Sequence, residues 1–444
     1  MRIIRDIDEA KAALRRSSLE PATIPPGMRQ RIRDVFGKDL TPDEAVARIV
    51  TDVREKGDAA LLDYIRRVDG VEPESLEVGG AERRQAHEEV DGELASALRT
   101  AAEQVRSFHQ QQMSHGFQEF SQGGLGQVVR PIERVGIYVP GGTAAYPSTV
   151  LMTAVPARVA GVAEVIIATP PKEGGRVPPS TLVAADIAQV DRVFRMGGAQ
   201  AIAALAYGTE SVPKVDKVCG PGGLFVILAK RMVYGTVDID GLPGPTETVI
   251  VADETASPAL CAADLLAQAE HDVLASAVMV TTSSALAEET SDEVERQLKE
   301  IERAEIARQS IERQGIIIVV DGIDQALELA NLYAPEHLSL MVRDAPSLVE
   351  RVRNAGGIFV GESTPETLGD YAAGPSHVMP TGGTARFRSP LGVADFLKLT
   401  SVVASSSADL KRLGPIASTI ARAEGFTAHA RAVEMRLDKG RRTE

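Results

Sequence analysis

From Arg134 onward, short runs of β-branched residues alternate with longer apolar segments of helical character. The first set comprises RVGIYVP, STVLMTAVPARVAG, EVIIATPP, STLVAADIAQ, DRVFRMGG, AQAIAALAYG, KVDKVCGPGG and LFVILAKRMVYG. The second set comprises TETVIVAD, the QAEH helix, SAVMVTTS, GIIIVVDG, DQALELANLY, LSLMVR and GGIFVGE. Such alternation is typical of βαβ units on a mostly parallel sheet. We therefore expect an α/β fold with two consecutive sheets and a crevice between them.

The rest of the chain is predicted to be helical. Residues 1 to about 130 are rich in charged amphipathic segments, and the sequence after Leu391 indicates short helices. One long solvated helix is expected from Ala285 to about Arg313, with a packed stripe formed by Val294, Leu298 and Ile301.

Composition excludes several classes of protein. The formal charge of −14 argues against nucleic acid or an anionic membrane as a partner. The N-terminal residues lack the apolar core of a signal peptide, and no apolar run is long enough to span a membrane, so a cytoplasmic protein is expected. Only Cys219 and Cys261 are present, which leaves nitrogen and oxygen ligands for any metal.

Glycine-rich turns follow several strands of the first set. The dinucleotide fingerprint GxGxxG does not occur. The chain instead carries YVPGGTAAYPS (138–148), MGGAQ (196–200), CGPGG (219–223) and GLPGPTE (241–247). Glycine lets backbone amides approach a phosphate, and one such turn by itself indicates only tight geometry. Four in one sheet favour a ligand site.

The stretch LLAQAEHD (265–272) places polar residues in an apolar helix. Ser257 is expected to cap this helix and Pro258 to occupy its first turn. At a spacing of three residues, Gln268 and His271 would share one helix face. They could form a satisfied core network, a surface stripe or half of a metal site.

Four of the seven histidines, His271, His337, His377 and His429, lie in short polar contexts. The other three, His87, His109 and His115, lie in charged helical sequence and are expected at the surface.

In YAPEHLS, Pro335 ends the preceding helix and delivers Glu336 and His337 side by side. Such a pair can divide proton transfer, or it can be a solvated pair at a strand edge. It precedes its strand, whereas open parallel sheets place ligands at the carboxyl ends of strands.

These motifs resemble one known family along nearly the whole chain. The order and spacing of QAEH, YAPEH, GDYAAGPSHVMPT and EGFTAHA, together with YVPGG, GGAQAIAALAYG and GPTE, are similar to those of histidinol dehydrogenases. The resemblance implies oxidation of L-histidinol to L-histidine through an aldehyde, in two NAD-dependent steps.

The resemblance also implies residue roles. One zinc ion would be bound by Gln268, His271, Asp370 and His429, a nitrogen and oxygen set that zinc accepts. His337 would be the recurrent base, and Glu336 would activate water. The substrate would be lined by Thr246, Gln268, His271, His337, Asp370, His377, Glu424 and His429. The cofactor positions are Tyr138, Gln200 and Gly223.

The fold implied by the resemblance is an intertwined homodimer with two incomplete Rossmann-like lobes and helical ends. Residues 1–30 would form an N-terminal helical segment, and 31–137 with 247–391 the zinc-bearing lobe. Residues 138–246 would bind NAD. Residues 392–444 would form a helical tail that reaches the partner subunit, so that His429 completes the partner's site.

The sequence departs from the family pattern at two positions. Gly223 stands where GPGN would have asparagine, which removes one amide contact to the cofactor, and Thr246 replaces a serine. Two alternatives to histidinol dehydrogenase are open. The first is a related dehydrogenase of another small polar alcohol, such as a sulfonated diol, and the second is a zinc protein without redox activity.

Overall fold

The computed structural model describes residues 1–15, 26–141 and 145–442. Part of the predicted N-terminal segment and residues 142–144 of the YVPGGTAAYPS turn lie outside these ranges. Two compact units are present: Met1–Gln111 with Ile132–Phe396, and Gln112–Pro131 with Leu397–Glu444. No helix in the described part of the chain is long and apolar enough to cross a lipid bilayer.

The strands, in chain order, are β1 (Arg2–Ile4), β2 (Phe120–Gln122), β3 (Leu125–Pro131), β4 (Arg134–Tyr138), β5 (Glu164–Thr169), β6 (Arg192–Arg195), β7 (Lys217–Cys219), β8 (Asp238–Ile239), β9 (Glu247–Ala252), β10 (Ser276–Thr281), β11 (Ile316–Val319), β12 (His337–Met341), β13 (Gly357–Val360) and β14 (Leu397–Val403).

The helices are α1 (Ile7–Ala13), α2 (Pro26–Phe36), α3 (Pro42–Lys56), α4 (Asp58–Tyr64), α5 (Gly80–Glu89), α6 (Gly92–Gly116), α7 (Pro147–Ala160), α8 (Pro179–Ile187), α9 (Gly198–Tyr207), α10 (Leu224–Val233), α11 (Pro258–Ala269), α12 (Ser284–Gln297), α13 (Ala304–Gln314), α14 (Ile323–Tyr333), α15 (Ala345–Leu348), α16 (Glu366–Tyr371), α17 (Ser407–Ala423) and α18 (Thr427–Arg442).

The first unit contains two parallel sheets. The five-stranded sheet has the order β6-β5-β4-β7-β8, and the six-stranded sheet has the order β1-β11-β10-β9-β12-β13. Numbered from β4 and from β9, both follow the order 3-2-1-4-5 found in doubly wound nucleotide-binding sheets. The α/β prediction with parallel sheets is confirmed.

The six-stranded sheet is buried on both faces. Val249, Val251 and Leu338 belong to the core on one face, and Ile250 and Met341 to the core on the other. Strands buried on both faces read as continuous apolar runs, which explains why TETVIVAD lacks the alternation of a half-exposed strand.

The N-terminal region packs on both sheets. β1 extends the edge of the six-stranded sheet beside β11, whereas Val46 of α3 and Leu61 of α4 belong to the core of the five-stranded sheet. The predicted assignment of residues 31–137 to the zinc-bearing part of the chain therefore differs from this packing. Nothing in the amphipathic pattern of α3 specifies which sheet it covers.

Two helix predictions are corrected. The long helix expected from Ala285 divides into α12 and α13, although Val294, Leu298 and Ile301 pack on the core as expected. No glycine or proline marks the break. His109 is fully buried in α6 rather than at the surface, and its Nδ1 lies 2.7 Å from the carbonyl oxygen of Val105.

The second unit combines an antiparallel sheet, in the order β14-β3-β2, with α17 and α18. The sequence after Leu391 was expected to be helical, but Leu397–Val403 is a strand paired with β3. α17 begins at a capping box formed by Ser406 and Asp409.

Candidate active site

The end of α11 holds the first two predicted site residues. The helix ends at Ala269, so His271 lies two residues beyond it and does not share a regular helix face with buried Gln268. The Asp272 carboxylate accepts a hydrogen bond from the Leu274 amide (2.8 Å), which stabilises the turn after the helix. Both polar side chains are therefore presented at one helix end.

The start of α11 also differs from its expected cap. Pro258 occupies the first turn as predicted, but the Ser257 side chain makes no capping hydrogen bond. The Ser257 amide instead donates to Glu362 Oε1 at 2.5 Å. A carboxylate at this position satisfies an orphan amide and is favoured by the helix dipole.

A hydrogen-bonded chain connects Gln268 to Glu336. Gln268 Nε2 donates to Thr246 Oγ1 (2.6 Å), and Thr246 donates to Glu336 Oε2 (2.6 Å). The Glu247 amide donates to the same carboxylate oxygen at 3.0 Å. With its nitrogen bound to Thr246, the carboxamide of Gln268 offers its carbonyl oxygen as the ligand atom.

His337 is the first residue of β12 and is held on both ring nitrogens. α14 ends at Tyr333 as predicted, although Ala334 is left-handed (φ 54°) rather than extended. His337 Nδ1 lies 3.2 Å from the carbonyl oxygen of Glu247, and Nε2 lies 3.4 Å from Asp370 Oδ1. Because a carbonyl oxygen can only accept, Nδ1 carries a proton.

Asp370, near the end of α16, is surrounded by imidazoles. Its carboxylate contacts His337, and its carbonyl oxygen lies 2.8 Å from His377 Nδ1. When protonated, His271 and His377 also favour the charged form of this carboxylate. His377 Nε2 lies 3.5 Å from Thr149 Oγ1 of α7, which joins the site to the helix after β4.

Burial and charge shift the proton affinities of these groups. Burial raises the pKa of Glu336 to about 7, although His337 and Thr246 favour its charged form. Burial disfavours the charged form of His337, but Glu336 and Asp370 outweigh it and raise the pKa to about 10. His337 Nδ1 and Glu336 Oε2 are 3.7 Å apart, so the protonation of one group depends on that of the other.

Three other site groups are also shifted. Burial opposes ionisation of Asp370, but the His337 hydrogen bond and charge outweigh it and lower its pKa. Burial lowers the pKa of His377. His271 keeps an exposed edge, yet its surroundings exclude enough water to lower its pKa. The neutral imidazole that a metal requires is therefore favoured at His271.

The predicted cofactor residues lie at the carboxyl ends of the five-stranded sheet. Tyr138 ends β4, Gln200 lies in the first turn of α9, and Gly223 immediately precedes α10. The Gly198 amide donates to the phenol oxygen of Tyr138 (3.1 Å). Gln200 is almost fully buried, and its Nε2 has no hydrogen-bond partner.

A buried ion pair holds the turn that precedes Gly223. Asp240 accepts from the Gly220 amide (2.6 Å) and from Lys230, while Lys230 also donates to the Gly220 carbonyl (3.0 Å). Gly220 has φ +107°, and a Cβ there would lie 2.0 Å from the carbonyl oxygen of Tyr138. Only glycine fits, and both sides of its peptide are fixed.

Glu424 and His429 belong to the second unit. Glu424 follows the last residue of α17, and His429 lies in the first turn of α18, 5.2 Å from the ring of Phe426. Both side chains are exposed. The first unit thus contains every other predicted site residue.

Sequence reasoning missed two buried carboxylates beneath the site. Glu366 accepts hydrogen bonds from Thr248 and from Ser339 (3.0 Å), and burial raises its pKa. Burial also raises the pKa of Asp264 to about 7, and the charge of Glu366 adds to this effect. Each precedes a predicted metal ligand by one helical turn, at a spacing of four residues, which is the signal that could have identified them.

Acidic, histidine and cysteine side chains alone do not form a metal site in the described residues. Within residues 1–15, 26–141 and 145–442, no three such side chains are arranged to hold an ion. Gln268, His271 and Asp370 offer a carbonyl oxygen, an imidazole and a carboxylate, which are ligands that zinc accepts. A four-coordinate zinc ion would need one further ligand beyond these three side chains.

A buried carboxylate–imidazole pair in a protein with two parallel sheets is typical of α/β enzymes that transfer protons. Residues 37–437 match the family model described as histidinol dehydrogenase. This chain therefore belongs to the histidinol dehydrogenase family and is an oxidoreductase.

Curated relatives and a crystal structure agree with this assignment. The chain is 54% identical over 432 residues to a histidinol dehydrogenase of Deinococcus radiodurans, covering 97% of this chain and 98% of the relative. It is 50% identical to one of Dehalococcoides mccartyi, covering 99% and 100%. The crystal structure of histidinol dehydrogenase from Elizabethkingia anophelis superposes with a TM-score of 0.89 at 33% identity, covering 98% and 97%.

Proposed function

We propose that this protein oxidises L-histidinol to L-histidine through the aldehyde in a zinc-dependent, four-electron reaction. Two NAD+ would each accept one hydride, in the last steps of histidine biosynthesis in the cytoplasm. The observation that carries the proposal is the continuous polar chain from Gln268 through Thr246, Glu336 and His337 to Asp370.

The zinc ligands proposed are Gln268, His271 and Asp370, with His429 of the partner subunit as the fourth. Bound zinc would orient the amine and imidazole of the substrate, and its positive charge near Asp370 would lower the proton affinity of His337. The depressed pKa values of His271 and Asp370 favour the protonation states in which both can act as ligands.

His337 is proposed as the base in both oxidation steps. Since Nδ1 donates to the Glu247 carbonyl, Nε2 is the nitrogen that can take the proton of the substrate hydroxyl. Asp370, at 3.4 Å from Nε2, stabilises the imidazolium that results. The ring is fixed by the backbone of β9, so no reorientation is needed between steps.

Glu336 is proposed to activate the water that adds to the aldehyde. Its pKa of about 7 lets it take up a proton near neutral pH and release it again. Thr246 and the Glu247 amide fix one carboxylate oxygen. Thr246, His377 and Glu424 complete the substrate-lining set.

The two sheets are proposed to divide the work. Residues 138–246 would bind NAD through Tyr138, Gln200 and Gly223, and residues 247–391 would hold zinc and substrate. The contact between Thr149 and His377 supports a cofactor placed close to the substrate.

The active unit is proposed to be an intertwined homodimer, in which residues 392–444 reach the partner subunit. Large apolar side chains are exposed on the second unit, including Leu399, Val403, Ile416, Ile420 and Met435. Exposed apolar surface of this kind is typical of protein interfaces. Glu424 and His429 would then serve the partner's site.

One assay tests the proposal. NAD reduction is followed with L-histidinol, with other amino alcohols and with a sulfonated diol, before and after treatment with a chelator. Two NADH are expected per histidine formed, and chelation should abolish turnover while circular dichroism shows that most of the fold is kept.

The alternatives give different results. Preference for the diol would indicate the related dehydrogenase. No NADH from any alcohol would indicate a zinc protein without redox activity. Full turnover by protein from which the chelator has removed all metal would contradict the zinc proposal.

A further inference from the structure

The five-stranded sheet lacks the acidic residue that dinucleotide-binding sheets usually carry for ribose. That residue follows the first glycine-rich turn by about 20 positions and accepts hydrogen bonds from ribose hydroxyls. From α7 to the end of β5 the only acidic residue is Glu164, which is at the amino end of β5 and pairs with Arg134. β5 itself ends in Thr169, followed by Pro170 and Pro171.

The space beside the end of β5 is filled by a proline ring. A Cβ at Gly141 would lie 2.3 Å from Pro170 Cγ, and a Cβ at Gly197 would lie 2.6 Å from Pro170 Cβ. Pro170 thus packs between two glycine turns and offers no hydrogen-bonding side chain. If a carboxylate contacts a nucleotide at this edge, it must come from another part of the chain.

Asp69, in the N-terminal region, is the candidate for that carboxylate. It ends the π-helical turn Ile65–Asp69, and the residues on either side, Ile65 and Val71, pack on the apolar core that includes Tyr138. Burial, together with the charge of Asp69 to a smaller extent, raises the pKa of Tyr138 to about 12. Asp69 therefore lies beside the apolar core to which Tyr138, at the carboxyl end of β4, belongs.

Asp69 also has an unused hydrogen-bonding atom. Its Oδ2 is buried and has no partner, and the same is true of Gln200 Nε2. Buried polar atoms are nearly always satisfied in folded proteins, so two unsatisfied atoms beside the core that contains Tyr138 require an explanation. A ligand that donates to Asp69 and accepts from Gln200 would satisfy both.

We propose that Asp69 is a further cofactor-binding residue, whose carboxylate accepts hydrogen bonds from the hydroxyl groups of a dinucleotide ribose. This inference rests on the proposed function, because it takes the ligand at this edge to be a dinucleotide. Tyr138 and Gln200 bind the neighbouring part of the same ligand. The ribose acid is thus supplied by the N-terminal region instead of the sheet.

The assignment has a consequence for cofactor choice. A 2′-phosphate on the ribose would replace a hydroxyl donor by two negative charges beside a carboxylate. Like charges in a site shielded from water repel strongly. Asp69 should therefore make the protein select NAD over NADP.

The test measures binding of reduced cofactors by fluorescence, without relying on turnover. Asp69→Asn keeps the shape of the side chain but loses its charge, and it should weaken NADH binding about tenfold or more, since a hydrogen bond to a charged group is lost. NADPH binding should weaken less or improve, so that the ratio of NADH affinity to NADPH affinity falls. 2′-Deoxy-NADH should bind the wild-type protein and Asp69→Asn with affinities closer to each other than NADH does.

Glu72→Gln is the matched control, because Glu72 lies three residues away, is exposed and pairs with Arg66. It should leave all three affinities unchanged. The thermal midpoint is measured alongside, since a purely structural role for Asp69 would lower stability without changing the ratio of NADH to NADPH affinity.

Several outcomes decide the matter. Equal weakening of NADH, NADPH and 2′-deoxy-NADH by Asp69→Asn would overturn the inference, and so would unchanged NADH binding. Both results would leave the proposed function intact. A wild-type protein that binds no dinucleotide would overturn the proposed function itself, together with the role of Asp69.

Discussion

The two parallel sheets of the first unit share one strand order but present their proposed functional residues at opposite edges. Tyr138, Gln200 and Gly223 follow the carboxyl ends of strands in the five-stranded sheet. In the six-stranded sheet, Thr246 and Glu336 immediately precede strands, and His337 begins one. Strand order alone therefore does not determine at which edge of a sheet the proposed functional residues lie.

The carboxyl edge of the six-stranded sheet is closed by its own acidic residues. Asp253, after β9, accepts hydrogen bonds from the Arg343 amide (2.9 Å), after β12, and from the Thr255 amide (2.9 Å). Glu362 takes the Ser257 amide at the start of α11. These carboxylates use the amides that a phosphate would need.

The carboxyl edge of the five-stranded sheet is built differently. Its turns are rich in glycine, and the Lys230–Asp240 pair fixes the turn at Gly220 through backbone groups. We propose that the amides beyond that turn face the cofactor. The comparison teaches that residues at the strand ends, rather than topology, decide which sheet edge leaves room for the proposed nucleotide.

The largest expected effect tests the amino edge of the six-stranded sheet. His337→Asn should lower kcat about 10²–10⁴-fold with both histidinol and the aldehyde, because the base acts in each step. Glu336→Gln should chiefly slow oxidation of the aldehyde, where water is activated. Steady-state rates with each substrate separate these roles.

Thermal midpoints of the His337 and Glu336 variants serve as the control for folding. Equal losses with both substrates in both variants would contradict the division of roles. Normal turnover by His337→Asn would show that the amino edge of the six-stranded sheet does not hold the catalytic base.

The sequence predicted the two sheets, but it did not predict all the buried contacts around the candidate site. Alternation of β-branched runs identified both sheets, because buried parallel strands leave a local signal. Pro335 predicted that the helix ends before Glu336 and His337, whereas the role of this pair was implied only by the family resemblance. Glu366 was missed, because its partners Thr248 and Ser339 are distant in sequence and ordinary in type.

Two further differences concern the packing of α3 and the position of His271. α3 packs on the five-stranded sheet through Val46, but any amphipathic helix could cover either sheet. His271 lies outside α11, because Asp272 fixes a turn there that competes with the helix. Contacts between distant residues decide the packing of α3, a local turn decides the position of His271, and hydrophobic periodicity records neither.

A smaller effect is expected at the carboxyl edge of the six-stranded sheet. Backbone and Thr255 hydrogen bonds outweigh burial and lower the pKa of Asp253, so its charged form stabilises the fold. Asp253→Asn should therefore reduce stability by about 1 kcal/mol at neutral pH. Its KM values for NAD and histidinol should not change.

The pH dependence has a defined sign. Because the folded pKa of Asp253 is lowered, its stabilisation is present above the ordinary carboxyl range and is lost as the pH falls through the lowered value. The difference in denaturant midpoint between wild type and Asp253→Asn should shrink in acid. A raised KM for NAD in a variant of unchanged stability would show that this edge binds ligand after all.

The smallest expected effect concerns Gly223, at the carboxyl edge of the five-stranded sheet. Gly223 immediately precedes α10 with φ −69° and ψ 179°, a conformation that any residue adopts, and a Cβ there would meet nothing within 4 Å. Asparagine, which the resemblance leads us to expect at this position, therefore fits without strain. Its amide could cap α10 or contact NAD, so Gly223→Asn should tighten NADH binding about fivefold, the effect of one hydrogen bond of about 1 kcal/mol.

Gly223→Ala is the matched control, because it adds the Cβ without a hydrogen-bonding group. If both variants bind NADH equally well by fluorescence titration, the asparagine side chain contributes nothing at this edge, and the fixed backbone of the turn is sufficient.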